Sequence, residues 1–203
     1  MMNSGATTER VYEALKRRIM DHGFRPGDRL DPTVLADQMA ASVTPVRDAL
    51  HMCAGEGLVE AHSGTGFYLP TLDEPSLKDL YAWSAELVTL AIRGWPKKVV
   101  SAEKTIEGVA QSVAGGDADI FAAIARRSLN GEHVRAVEAL NARLSAVRVI
   151  EAQLLEDIGA ELRALAAAVD AGDKNTLRRL SGQYHRRRLR IAADIVRLVH
   201  RRE

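Results

Sequence analysis

Residues 44–60 read TPVRDALHMCAGEGLVE, and this stretch decides the front third of the chain. Thr44-Pro45 is a helix start, because a hydroxyl caps the first turn and proline suits the first helical position. Val46, Leu50 and Cys53 then recur at helical spacing and make one buried stripe, which leaves Arg47 on the exposed side. Gly55-Glu56-Gly57 stops the helix, and Leu58-Val59-Glu60-Ala61 is strand-like.

Working outward, two helices precede it. Thr7 or Thr8 caps the first, with Val11, Leu15 and Ile19 on its apolar stripe and a stop near Gly23. Phe24-Arg25-Pro26-Gly27-Asp28 is a turn. Asp31 caps a short second helix that begins at Pro32 and turns Leu35, Ala36 and Met39 inward. Ala40-Ala41-Ser42 is a tight turn into the third helix. Downstream, His62-Ser63-Gly64-Thr65-Gly66 is a hairpin loop leading to the strand-like Phe67-Tyr68-Leu69. Helix, helix, tight turn, helix and hairpin is the order of a winged helix-turn-helix. The helix that starts at Thr44 offers amides and short hydroxyls to phosphate, and Arg47, one turn in, reaches a guanine edge or a phosphate. A winged domain that binds protein has the same pattern, and the charge of this segment leans that way. Residues 1–76 hold seven Lys and Arg against eleven Asp and Glu, whereas residues 77–203 hold 21 against 16.

Residues 11–69 resemble the DNA-binding domain of the GntR family of bacterial transcription regulators. The resemblance rests on Ile19, Gly23, Pro26-Gly27, Leu30, Leu35-Ala36, the run from Thr44 to Leu50, Glu56-Gly57-Leu58-Val59 and Gly64. It implies that the third-helix start and the wing tip meet operator DNA, implicating Ser42, Thr44, Arg47 and Gly64. Thr33, Val43, His62 and Ser63 complete the candidate set. Val43 and Thr33 stand where the family commonly has arginine or another long polar residue. Each departure removes a charge-assisted contact and implies a different operator or a weaker one, although Val43 suits a thymine methyl.

Pro70 and Pro75 bracket a linker, placed at 71–75 between a DNA-binding domain of residues 1–70 and a helical domain of residues 76–203. Behind it the chain is rich in Ala, Leu, Arg and Glu and has no strand signal, so the fold class is mainly α, with the winged domain followed by an all-α bundle. Ser76 caps a helix from Leu77 to Gly94. Ser101 opens another through Ile106, Val109, Ala110 and Val113, followed by a break at Gly115-Gly116-Asp117. Ile120, Phe121 and Ile124 face inward in the next. A long run from Val134 to Val169 follows Asn130-Gly131, with or without a bend. Ala171-Gly172-Asp173 precedes the last helix.

The bundle is similar to the FadR-type C-terminal domain, FCD, on its chain order and the landmarks Leu80-Tyr81, Gly116-Asp117 and Ala171-Gly172-Asp173. That resemblance implies a ligand pocket with a divalent metal on one Asp and three His and an Arg for an organic acid. Counted from the landmarks, these five positions are Ser84, Ala125, Leu129, Leu162 and Tyr184, all changed. The expected outcome is no metal and no cofactor, with apolar surface from Leu129 and Leu162. His185 sits one place off, about 100° around the helix, and His133 one turn beyond Leu129.

No two of His22, His51, His62, His133, His185 and His200 form a metal-binding i, i+4 pair. His22 and His200 read as solvated helix ends and His51 as surface packing or a phosphate contact. Cys53 is spaced as a core residue, with a redox sensor as its second reading. Trp83 and Trp95 read as core or dimer-interface residues. Arg186-Arg187-Arg188 and Arg190 form a basic run, read as a solvated, phosphate-contacting or dimer-rim face rather than a separate nucleic-acid site. A single cysteine makes no internal disulfide and suits a reducing cytoplasm. No apolar run reaches the ~18 residues of a membrane span, and the first ten residues lack the apolar core of a secretory signal. No nucleophile–base pair or phosphate loop suggests an enzyme. The expected protein is a cytoplasmic, homodimeric regulator of double-stranded DNA, with a small-molecule effector in the bundle. The alternatives are a purely dimerising bundle or a winged protein-interaction module that has lost DNA binding.

Overall fold

The computed structural model describes residues 4–21, 23–96 and 117–201; His22 and the helix expected from Ser101 to the Gly115-Gly116 break lie outside them. The chain divides into two compact units, Met1–Leu72 and Asp73–Glu203.

In the first unit, α1 (Ser4–Met20) and α2 (Pro32–Gln38) both pack on α3 (Val43–Gly55). Helix α1 starts before Thr7 and Thr8, so neither caps it. Val11, Leu15, Val46, Ala49, Leu50 and Cys53 are wholly excluded from solvent, which fixes the α1–α3 contact as the core. Burial pushes the Cys53 thiol up to about 12, away from the thiolate a redox sensor needs. A polar clasp closes the edge of this contact: Lys16 Nζ donates to Glu56 Oε2 at 2.7 Å and to Tyr12 OH at 2.8 Å, and Tyr12 donates to Glu56 Oε1.

Three short strands form the antiparallel order β1-β3-β2 from β1 (Arg29–Leu30), β2 (Glu60–His62) and β3 (Gly66–Tyr68). Leu30 and Ala61 both pair with Phe67 across the ladder. Leu58 and Val59, expected in a strand, instead turn into the core as the chain leaves α3. A Schellman cap causes this: Gly57 takes φ +72°, and Leu58 N donates to Cys53 O.

The second unit opens with α4 (Glu74–Arg93). Asp73, not Ser76, is its cap, accepting from Ser76 N at 2.7 Å. Pro75 is tolerated in the first turn, so Glu74 and Pro75 leave the expected 71–75 linker for the helix. The unit continues with α5 (Asp117–Arg126), α6 (Gly131–Leu154), α7 (Ile158–Asp170) and α8 (Lys174–Arg201). The long run from Val134 breaks at Leu155, and Asp157 adopts φ +59° before α7 restarts. Helix α8 packs against α4, α6 and α7, so its inward face is wider than a single stripe. Trp95 anchors the end of α4: its Nε1 donates to Ile124 O at 2.8 Å, and its own carbonyl accepts from Lys174 Nζ at 2.8 Å. Trp83, by contrast, is half-exposed rather than core.

Candidate nucleic-acid interface

The α2–α3 turn is tight because Ala40 takes φ +48°, letting Ala41 N donate back to Ala36 O. That geometry delivers Ser42 as the cap of α3, two residues before the expected Thr44. The Ser42 side chain makes no capping bond and is exposed, as is that of Thr44. The helix therefore meets solvent with short hydroxyls and unspent amides at its positive end, an arrangement that favours an anion. Pro45 and Val46 go inward, Arg47 and Asp48 outward, and His51 stands one turn beyond Arg47 on the same face. The His51 ring edge rests on Phe67, with 4.9 Å between centroids. Val43 is half-buried. Thr33 is exposed on the first turn of α2, where its N–H and that of Val34 donate to Asp31 and hold that carboxyl below its ordinary range.

The β2–β3 hairpin is the wing. Thr65 N donates to His62 O, and Gly64 takes φ +78°, the glycine position of a type II turn. Tyr68 OH donates to Thr65 O at 3.1 Å and stiffens the tip. His62, Ser63 and Gly64 are exposed. His62 Nε2 lies 3.0 Å from Glu60 Oε2, so a carboxylate shares the wing with this imidazole. The exposed Arg29, missed in the sequence, joins the wing because β1 pairs it with Tyr68, and its Nε lies 3.7 Å from where a side chain on Gly66 would begin. A two-residue strand has no periodicity to announce it.

Inside the bundle, Ser84, Ala125, Leu162 and Tyr184 are buried, but Leu129 is 81% exposed. Helix α5 ends at Arg126, so a residue four beyond Ala125 leaves the helix axis; Leu129 N instead donates to Gly94 O in the turn. His185 needs no register shift to reach the interior. Its Nδ1 donates to Ser181 O at 2.8 Å, and its Nε2 accepts from Ser84 Oγ at 2.9 Å. Burial lowers its pKa to about 4, with Arg188 and Arg148 adding repulsion, so the imidazole is neutral. Phe121 packs edge-on against Tyr184 at 4.8 Å and lies 5.3 Å from His185. His133 pairs with Ser128 Oγ at 2.8 Å. Among the described residues no group of three His, Cys, Asp or Glu is placed to hold a metal.

The basic run on α8 is split by the fold. Arg188 is fully buried, with Nε donating to Glu151 Oε2 at 2.6 Å and Nη1 to Glu161 Oε2 at 2.8 Å. Tyr81 OH donates to Glu151 Oε1 at 2.5 Å, and burial beside that carboxylate raises the phenol. The signal existed in the sequence: Arg188 falls on the stripe Leu177, Ser181, Tyr184, Ala192 and Ile195. Nearby, Arg148 Nη2 donates to Asn141 Oδ1 at 2.8 Å, while Arg148 Nη1 is buried without a hydrogen-bond partner among the described residues.

Residues 7–69 match the family model described as bacterial regulatory proteins, gntR family. The Nta operon transcriptional regulator of Aminobacter aminovorans is 36% identical over 74 residues, 36% of this chain and 35% of that protein. An uncharacterised HTH-type transcriptional regulator, YdhC, of Bacillus subtilis is 26% identical over 113 residues, 53% and 50% of the two chains. The chain thus spans half or less of the length of these curated relatives. Among solved structures, a candidate transcriptional regulator GntR from Rhodococcus sp. RHA1 superposes with TM-score 0.73 at 18% identity, over 94% of this chain and 98% of that one. E. coli McbR/YncC gives 0.66 at 21%, over 96% and 99%. These structural likenesses speak to the fold. Residues 7–69 thus match the gntR family model and fold as a winged helix-turn-helix, followed by a helical unit.

Proposed function

We propose that this protein is a bacterial transcription regulator that binds operator DNA as a homodimer in the cytoplasm. The observation carrying the reading is the N-terminus of α3: Ser42, Thr44 and Arg47 exposed at the positive end of a helix whose opposite face is wholly buried. The base contact falls to Arg47, the backbone contacts to Ser42, Thr44 and Thr33, and the apolar contact to Val43. His62, Ser63, Gly64 and Arg29 follow the wing along the duplex. A single winged domain reads few base pairs, so specificity calls for two half-sites and two copies. Selection of duplexes from a random pool by the full chain tests this; the expected product is a two-fold related motif, and a pool without sequence preference overturns the reading.

Control of the FCD-like bundle by a small metabolite is the finer part of this reading. Ser84, at the position the resemblance gives to the organic-acid arginine, donates instead to His185. The buried Arg148 Nη1, beside the neutral His185, favours a small anion held by hydrogen bonds instead. A melting-temperature screen of small carboxylates on the protein and on Arg148→Leu tests it. Stabilisation that this substitution removes supports the effector, and a flat screen leaves the bundle as a dimerisation module. No catalytic role is assigned to any residue.

A further inference from the structure

The solvent face of α8 carries a pattern that neither the fold nor the front unit uses. Arg179, Gln183, Arg186, Arg190, Arg197 and Arg201 are all exposed. At 3.6 residues per turn they fall within about 60° of arc and extend along ~33 Å of helix. Five of these six residues are arginine. Asp194 is the acidic residue of α8 on the edge of the stripe, and it pairs with Arg197. Of the other acids near it, Glu161 pairs with Arg187 and with the buried Arg188, Glu151 pairs with Arg188, and the exposed Asp173 lies within electrostatic reach of Arg179 at the start of the helix.

We propose that this stripe is a second, sequence-independent contact for the phosphate backbone of duplex DNA. The stripe spans close to one duplex turn of ~34 Å. Its cations are all guanidinium groups, which bind phosphate oxygens through two parallel hydrogen bonds. A bilayer surface is the poorer fit, because an interfacial helix inserts an apolar face and that of α8 is buried in the bundle. Single-stranded nucleic acid is poorer too, since the stripe offers no aromatic ring on which a base could stack. The inference relies on the proposed regulator reading only in that both draw on the same duplex.

The test is fluorescence anisotropy of the full chain across a salt series, on a duplex selected by the wild type and on a scrambled one. The triple variant Arg186→Ser, Arg190→Ser, Arg197→Ser is expected to lower the slope of log affinity against log salt by about 2–3, near 0.9 per lost phosphate contact, equally on both duplexes. Its preference for the selected duplex stays intact, and the matching triple lysine variant retains most of the slope. Arg190→Ser alone, expected to lower the slope by about 0.9, serves if the triple variant does not fold. A wild-type slope in a folded serine variant overturns the inference, as does tighter binding to phosphatidylserine vesicles than to duplex at equal salt. Salt-dependent binding that the triple variant loses, in a wild type with no sequence preference, sinks the operator reading while the α8 contact stands.

Discussion

Arg188 and Glu151 meet at 2.6 Å with both side chains shut off from solvent, so an ion pair is buried within the apolar core of the helical unit. Tyr81 from α4 donates to the Glu151 carboxylate and Glu161 from α7 accepts from Arg188, so four helices meet through this pair. Such a pair is costly to desolvate and far costlier to break on one side.

Arg188→Met is therefore expected to destabilise the protein by about 3–5 kcal/mol, because the Glu151 carboxylate is left buried without its cation. Combining it with Glu151→Leu is expected to restore most of the loss. Urea unfolding of both variants decides the matter; a double variant no more stable than Arg188→Met would show that packing, not charge, dominates here.

His185 links stability to pH. Its pKa falls from an ordinary 6.5 to about 4 in the folded state, chiefly through burial, so the unfolded chain binds the extra proton first. The stabilisation is complete above pH ~6.5 and declines as pH drops toward ~4, with a total on the order of 3 kcal/mol. Ser84 and Ser181 face the ring as hydrogen-bond partners, and the cations Arg188 and Arg148 oppose its charging. Melting curves from pH 7 to pH 4 are expected to flatten in His185→Gln; an unchanged pH slope there contradicts the assignment.

Arg47→Ala is expected to weaken binding to a selected operator by about 1–3 kcal/mol, close to tenfold or more, and to spare the fold. The side chain points to solvent while its neighbours Val46, Ala49 and Leu50 hold the core. Gel-shift titration measures the loss and circular dichroism the fold. Full-strength operator binding by this variant removes Arg47 from the interface.

Ala40 sits at φ +48°, a conformation that penalises any side chain with a Cβ. Ala40→Gly relieves that strain at a smaller entropic cost and is expected to stabilise the front unit by about 0.5–1 kcal/mol. Thermal unfolding reads it out, and a lowered midpoint would mean that the turn is not strained.

The winged order of elements was legible in the sequence because local chemistry sets it. Pro32 and Gly57 mark where helices start and stop, Gly64 marks the hairpin, and the spacing of Val46, Leu50 and Cys53 places Arg47 outside. What stayed hidden depends on which chain segments meet. The two-residue β1 exists only because β3 pairs with it, and that pairing is what brings Arg29 to the wing. The cap moved from Thr44 to Ser42 because the Ala40 turn delivers the chain there, and from Ser76 to Asp73 because the Asp73 carboxylate takes the Ser76 amide. Arg188 read as surface from its basic neighbours, and His185 as one register off. Both belong inside because α8 is packed by three helices, so its buried arc is broad enough to take adjacent residues. One apolar stripe can be counted along a sequence, but how many neighbours a helix has is decided only when the chain folds.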